Sequence, residues 1–149
     1  MSGSAAADAT RKATRRLPVN GEGLFSTCTS PGSTLASLAL TQSSLAEDLE
    51  IWASQEFDYV TLADGFSRAS VLMPQKRNPY SLAIVRGASG VLIGRLTGFL
   101  AVAKSPSARS DNLIFAYGEV PRALDLAGRQ IRLMAGVTAG LTANAERMY

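Results

Sequence analysis

The chain has 149 residues, of which 46% are hydrophobic and 18% charged, so it is long and apolar enough for one domain with a core and is not wholly disordered. Its net charge of +3 comes from scattered basic residues, which gives no signature of nucleic-acid binding. A single cysteine, Cys28, excludes an internal disulfide and favours a reducing compartment, and the chain has no histidine for acid–base or metal chemistry.

Residues 1–32 are rich in Ser, Ala, Thr and Gly and have weak periodicity, so we expect a low-complexity, disordered leader. Four basic residues between positions 11 and 16, with few acids, are also typical of an organelle transit peptide. Because a disordered leader is the favoured interpretation, we expect a cytoplasmic protein. Organelle targeting stays open as an alternative.

A helical pattern begins at Ser33, a plausible N-cap after Pro31 and Gly32. The pattern predicts a helix over residues 33–57 with two neighbouring stripes, one of large apolar residues (Leu38, Leu45, Leu49, Trp52) and one of alanines (Ala39, Ala46, Ala53). Residues 58–78 then read as a connector with a turn at Asp64-Gly65.

Asn78 suits an N-cap and Pro79 a first helical turn, so the next helix is predicted over residues 79–104. Four glycines recur on one face of it: Gly87, Gly90, Gly94 and Gly98. Each weakens a helix interior by up to about 1 kcal/mol relative to alanine, so we expect another helix to cross very close to this face. Charges at Arg86, Arg95 and Lys104 interrupt the apolar run and argue against a membrane span.

The remaining chain predicts a loop over residues 107–114 and a helix over 121–147, with Leu126, Gln130, Leu133 and Val137 on one stripe. No segment is a convincing strand. The predicted fold class is therefore all-α, a bundle of long helices within a domain of residues 33–149.

The stretch "SRASVLMPQKRNPYS", residues 67–81, precedes the second helix. The unpaired N–H groups at a helix start carry partial positive charge, and Lys76 and Asn78 lie beside them in sequence. With Ser70 folded onto the same ligand, they could form a pocket for a carboxylate or phosphate. On spacing alone, a helix-capping turn with a solvated lysine is the favoured interpretation, because Asn-Pro before a helix is common.

The residues "SVLMPQKRNP", 70–79, resemble the signature G-S-S-x-M-P-x-K-x-N-P of the fumarase/aspartase superfamily, and Gln75 before the lysine resembles the argininosuccinate lyase branch. Residues 45–67, 83–101 and 140–148 are similar to neighbouring segments of that branch. The resemblance covers roughly residues 38–148.

The resemblance implies a nearly all-helical fold in which four subunits pack their bundles into one core. It implies a homotetramer, or association with a full-length lyase, whose active sites draw on three sequence regions from three subunits. The expected ligand is a small dicarboxylate or amino-acid substrate. We expect no cofactor, metal, nucleic acid or membrane partner.

The implied reaction is a β-elimination that releases fumarate, as in arginine biosynthesis. Ser70 matches the family's catalytic base, and Lys76 and Asn78 match residues that stabilise negative charge on a substrate carboxylate. Lys76 is therefore assigned with Ser70 to catalysis, and Asn78, Gln75 and Met73 to substrate binding or to the shape of the loop over residues 63–79.

Several positions depart from the family pattern. Ala69 stands where the signature has glycine, Val71 replaces its second serine, and residues 109–117 do not reproduce the run that binds the amino-acid half of the substrate. The two other active-site regions of the family, one with a histidine, do not occur in this sequence.

Three interpretations follow. The first is an incomplete argininosuccinate lyase-like carbon–nitrogen lyase that is inactive alone. The second is another fumarate-releasing lyase acting on a different N-substituted aspartate. The third is a non-catalytic helical partner of a full-length lyase.

Overall fold

Three long helices dominate the computed structural model, which describes residues 21–73, 75–104 and 111–148, with side chains from residue 32 onward. They are α1 (Gly21–Trp52), α2 (Tyr80–Val102) and α3 (Glu119–Ala139). Short 3₁₀ turns lie at Asp64–Phe66, Asp111–Phe115 and Ala145–Arg147. The predicted all-α bundle of long helices is confirmed. Residues 1–20 of the predicted leader and residues 107–110, the first half of the predicted loop, lie outside the described residues.

Helix α1 differs from its prediction at both ends. It begins at Gly21, so the last part of the predicted leader is helical, and it ends at Trp52 instead of near Phe57. The chain turns back because Asp58 adopts a positive φ of 50°, a conformation that Asp tolerates better than most residues. The Tyr59 N–H then donates to the Trp52 carbonyl at 2.9 Å.

The prediction that the last helix continues to residue 147 is wrong. Helix α3 ends at Ala139, where the Gly140 N–H donates back to the Gly136 carbonyl at 3.1 Å. The following residues form β4 (Thr142–Ala143), which pairs antiparallel with β1 (Val60–Thr61). The chain end is thus attached to the connector after α1.

The expectation of no strands is also wrong, because β2 (Arg68–Ala69) and β3 (Arg77–Asn78) form a second antiparallel pair. This pairing uses the backbone of Asn78, so Pro79 and not Asn78 occupies the N-cap position of α2. The helix therefore begins at Tyr80, one residue later than predicted, with no side-chain cap.

The core lies where the three helices meet, and α1 contributes its alanine stripe to it. Ala39 and Ala46 are buried, whereas Leu38, Leu45 and Trp52 of the predicted large apolar stripe are exposed. The main cluster contains Ala46, Leu49, Val60, Leu62, Leu82, Val85, Met134 and Val137. Alanines bring the α1 backbone close to α2, and most of the larger side chains, apart from Leu49, come from other elements.

A buried polar junction connects all three helices. The Ser89 hydroxyl of α2 lies 2.8 Å from the Ala39 carbonyl oxygen of α1 and accepts a hydrogen bond from Gln130 Nε2 of α3 at 2.7 Å. Ser89 and Gln130 are 2% and 3% exposed. Displacement of any of the three helices would leave one of these buried groups without a hydrogen-bond partner. The cost of that unpaired group favours the observed arrangement of the bundle over displaced ones.

An ion-pair cluster on the surface also connects α1 and α2. Arg86 lies 2.7 Å from Glu50 and 3.4 Å from Glu47. The hydrogen bond that Arg86 donates to Glu50 and the charge of both carboxylates raise the pKa of the Arg86 guanidinium above its ordinary value. Arg86 therefore acts here as a permanent cation against α1.

Helix α2 is long and apolar enough to cross a membrane by length and composition alone, so the charges of Arg86, Arg95 and Lys104 are a weaker argument against a span than expected. One face of the helix, with Leu82, Val85 and Leu92, is buried against the neighbouring helices. A core helix of a helical bundle has the same properties.

The glycine stripe of α2 does not meet another helix among the described residues. At Gly87, Gly90, Gly94 and Gly98, an added Cβ would find no atom within 4 Å. Ile84, Val91 and Leu100 on the same helix are also exposed. The predicted close helix contact is therefore not made within the described part of the chain.

Two other glycines, Gly136 in the last turn of α3 and Gly140 just after it, accommodate the turn at Asp64–Phe66. An added Cβ at Gly136 would lie 2.9 Å from Phe66 Cζ, and one at Gly140 would lie 3.2 Å from Ala63 Cβ. Phe66 packs against the main core cluster. These glycines thus fix the turn from which β2 departs.

We predict that Gly136→Ala destabilises the fold by about 1–3 kcal/mol, because its Cβ overlaps the Phe66 ring. Gly128→Ala is the matched control on the same helix, where the nearest atom is the flexible Arg132 Nη1 at 3.6 Å. It should stabilise by about 0.5–1 kcal/mol through helix propensity. Denaturant unfolding followed by circular dichroism measures both changes, and equal effects would contradict the proposed contact.

Candidate functional site

A short β-hairpin presents the predicted site residues at the start of α2. We call residues 68–78 the signature hairpin. Its register pairs Arg68 with Asn78 and Ala69 with Arg77. One step further, the Ser70 N–H donates to the Lys76 carbonyl at 3.1 Å, so this pair also faces each other across the hairpin.

The register assigns residues to the two faces of the signature hairpin. Directly opposed residues of an antiparallel pair share a face, and the face alternates along each strand. Arg68, Ser70, Lys76 and Asn78 therefore lie on one face, which we call the polar face. Arg77 is on the other face, where it pairs with Asp64 of the preceding turn.

The hairpin loop supplies a backbone donor to the predicted base. The Met73 N–H donates to Ser70 Oγ at 3.3 Å, and the Lys76 N–H donates to the Met73 carbonyl at 2.9 Å. The first contact points a partial positive charge at the serine oxygen. Such a donor favours the oxyanion that a serine base requires.

The polar face is cationic. Lys76 has no carboxylate partner among the described residues, and neither has Arg68. The first N–H groups of α2 follow directly after Asn78 and Pro79, and they add partial positive charge. The arrangement is suited to a carboxylate or another small anion.

The structure brings together three of the five predicted site residues, Ser70, Lys76 and Asn78. Gln75 and Met73 lie in the exposed hairpin loop, beside Val71 and Leu72, which are 90% and 91% exposed. The prediction missed Arg68, whose place on the polar face depends on strand pairing that the sequence did not indicate.

A separate apolar cleft of about 280 Å³ lies further along α2. It is lined by Leu92, Phe99, Ala123 and others, and contains none of the predicted site residues. Its charged pair, Arg95 and Glu119, is joined by an ion pair of 2.8 Å. The cleft therefore offers no free charge for catalysis.

Comparisons with known proteins support an interpretation of the hairpin as part of a lyase. A family profile described as Lyase matches residues 29–94. Argininosuccinate lyase from Corynebacterium glutamicum is 41% identical over 115 residues, which are 76% of this chain and 24% of the relative. The enzyme of that name from Methanococcoides burtonii is 35% identical over 117 residues, which are 78% of this chain and 24% of the relative.

Among solved structures, an EDDS lyase variant with bound fumarate matches with a TM-score of 0.71 and 28% identity, over 80% of this chain and 24% of that one. The chain thus spans about a quarter of the length of the relatives that it matches.

We predict that Asp64→Asn loosens the signature hairpin without unfolding the domain. Both partners of the Asp64–Arg77 pair are largely exposed, so its loss should lower the free energy of unfolding by less than about 1 kcal/mol. The Ser70 amide should nevertheless exchange hydrogen for deuterium faster. Asp125→Asn, which removes the i,i+4 pair with Arg129 on α3, is the control and should leave this exchange unchanged.

Proposed function

Because the chain belongs to the fumarase/aspartase superfamily, in its argininosuccinate lyase branch, we propose that the signature hairpin is one part of an elimination site that releases fumarate from argininosuccinate. The observation that carries this proposal is the polar face, which holds Ser70, Lys76 and Asn78 together beside the start of α2.

In the proposed reaction, Ser70 Oγ takes a proton from the substrate carbon next to a carboxylate. The electron pair of that C–H bond moves onto the carboxylate, where Lys76, Asn78 and the N–H groups at the start of α2 stabilise it. When the C–N bond breaks, the pair returns to form the double bond of fumarate. The leaving nitrogen takes up a proton from another part of the site.

Ser70 is a weak base in water, so its oxyanion needs stabilisation before it can accept the proton. The Met73 N–H at 3.3 Å and the cationic surroundings of the polar face supply it. A hydrogen bond of this length in a site without substrate is expected to shorten when substrate binds.

A different N-substituted aspartate is the second candidate substrate. The observation favouring it is the stretch 109–117, which departs from the argininosuccinate lyase pattern. Its described part exposes Ile114, Phe115 and Tyr117, where a polar amino-acid half of a substrate would have few partners. Arginine biosynthesis is therefore the expected pathway only if argininosuccinate is the substrate.

We predict that a polypeptide of these 149 residues shows no lyase activity alone, because the family's other two active-site regions are not in it. Each 1.4 kcal/mol of lost transition-state stabilisation lowers the rate about tenfold. Fumarate formation from argininosuccinate, followed in the ultraviolet, measures the activity. Activity of this polypeptide alone would contradict the prediction.

The decisive assay mixes the chain with a full-length argininosuccinate lyase whose own signature serine and lysine have been replaced. Joint refolding should restore fumarate release, and Ser70→Ala or Lys76→Ala in this chain should remove it again. Ser67→Ala, just before the hairpin, is the control that should keep it. Mixed assemblies that form but stay inactive would favour the non-catalytic interpretation.

We also propose that the chain assembles with other copies or with a full-length lyase through the glycine face of α2. Ile84 and Val91 leave apolar surface uncovered beside these glycines, and the glycines allow a second backbone to approach. The family's usual tetramer is the expected assembly.

We predict that the purified chain self-associates and that Gly94→Glu blocks association. The added side chain has open space in the single chain, so the fold should persist. Gln55→Glu, which adds the same charge at an exposed turn, should leave association intact. Sedimentation velocity distinguishes the variants, and an unchanged profile for Gly94→Glu would exclude this face.

A further inference from the structure

Arg68 is the one residue of the polar face to which the signature gives no role. It lies directly opposite Asn78, and two residues along its strand from Ser70. Residues two apart on a strand are separated by about 6.6–6.8 Å, and diagonal neighbours across a pair by about 7–8 Å. Its long side chain can therefore reach a ligand held by Lys76 and Asn78.

The charge of Arg68 is not neutralised by any described carboxylate. Asp64, the acid of the adjoining turn, is on the other face and pairs with Arg77. Arg68 also stands beside the positive end of α2, where a cation is unfavourable unless an anion binds between them. Arg68 is therefore free to bind an anion on the polar face.

Tyr80 orients the Arg68 side chain. The Arg68 Cζ lies 5.3 Å from the centroid of the Tyr80 ring, within the range of a cation–π contact. Tyr80 is the first residue of α2, so this contact directs the guanidinium along the helix start. Its planar fork of donors then suits a carboxylate in a bidentate arrangement.

From this geometry we infer that Arg68 binds the second carboxylate of a dicarboxylate substrate while Lys76 and Asn78 hold the first, so that Arg68 selects dicarboxylates over monocarboxylates. The inference rests on the proposed function of the signature hairpin and adds a specificity-determining residue to it. Two separate cations on one face give each carboxylate its own partner, whereas a monocarboxylate would leave Arg68 unsatisfied.

The test is equilibrium dialysis of the chain with labelled succinate and labelled butyrate, which differ by one carboxylate. Arg68→Gln should weaken succinate binding about fivefold to tenfold, the loss of one charge-assisted bidentate contact, and change butyrate binding less than about twofold. Arg68→Lys, which keeps the charge and loses the fork, should fall between. Lys104→Gln is the control, because it removes the same charge about 35 Å away along α2.

Two further variants test the orientation by Tyr80. Tyr80→Phe keeps the ring and should bind succinate normally, whereas Tyr80→Leu should weaken binding about twofold to threefold. Circular dichroism melts check that every variant is folded, which exposed positions should permit.

An unchanged succinate-to-butyrate ratio in Arg68→Gln would overturn the inference, as would failure of the unmodified chain to bind succinate. Neither result touches the proposed elimination, which the mixed-assembly assay decides separately. If the ratio falls but mixed assemblies stay inactive, Arg68 is a dicarboxylate ligand and the catalytic proposal fails.

Discussion

The close approach of α1 to α2 is the constraint on which the rest of the molecule depends. It is possible because the buried face of α1 presents Ala39 and Ala46, small enough for the Ser89 hydroxyl of α2 to reach the Ala39 carbonyl at 2.8 Å. Gln130 then joins α3 to the same hydroxyl at 2.7 Å. Apolar packing alone would tolerate sliding of one helix along another. A slide here would leave buried polar groups without hydrogen-bond partners, and the free-energy cost of such groups exceeds that of an imperfect apolar contact. The junction therefore sets the axial position of α2 and, with it, the place where the signature hairpin ends.

The hairpin is positioned at both ends by this frame. On one side the Asp64–Phe66 turn packs against Gly136 of α3, and on the other Asn78 leads through Pro79 directly into α2. A loop so short between two fixed ends can carry catalytic groups with little conformational freedom. Ser70 and Lys76 face each other because the ladder of Arg68–Asn78 and Ala69–Arg77 continues by one hydrogen bond. The signature is thus a local strand pair whose register determines which side chains converge.

Helical periodicity predicted the three long helices and the class of fold, because it reports which residues share a helix face. It failed at the ends of α1 and α3, where tertiary contacts decide: Asp58 turns the chain, and β1 pairs with β4 across more than eighty residues of sequence. It described two neighbouring stripes on α1 without indicating which is buried; the structure buries Ala39, Ala46 and Leu49 and exposes Leu38, Leu45 and Trp52, because alanines permit closer helix packing. Ser70, Lys76 and Asn78 could be identified by resemblance to a known signature. Arg68 could not, because only the register of two very short strands puts it beside them.

The surfaces left open by the single chain give a physical reason for the proposal that the site needs a partner. Val71 and Leu72 at the hairpin tip are almost fully exposed, and the glycine face of α2 has open space at each of its four glycines. Because the apolar residues flanking the polar face are uncovered, water reaches that face. The charges of Lys76 and Arg68 then act through the high dielectric of water, so they stabilise a developing carboxylate charge only weakly. A partner covering the tip would exclude that water and strengthen each of these interactions without moving a residue. Assembly and catalytic competence are, on this reasoning, consequences of the same burial.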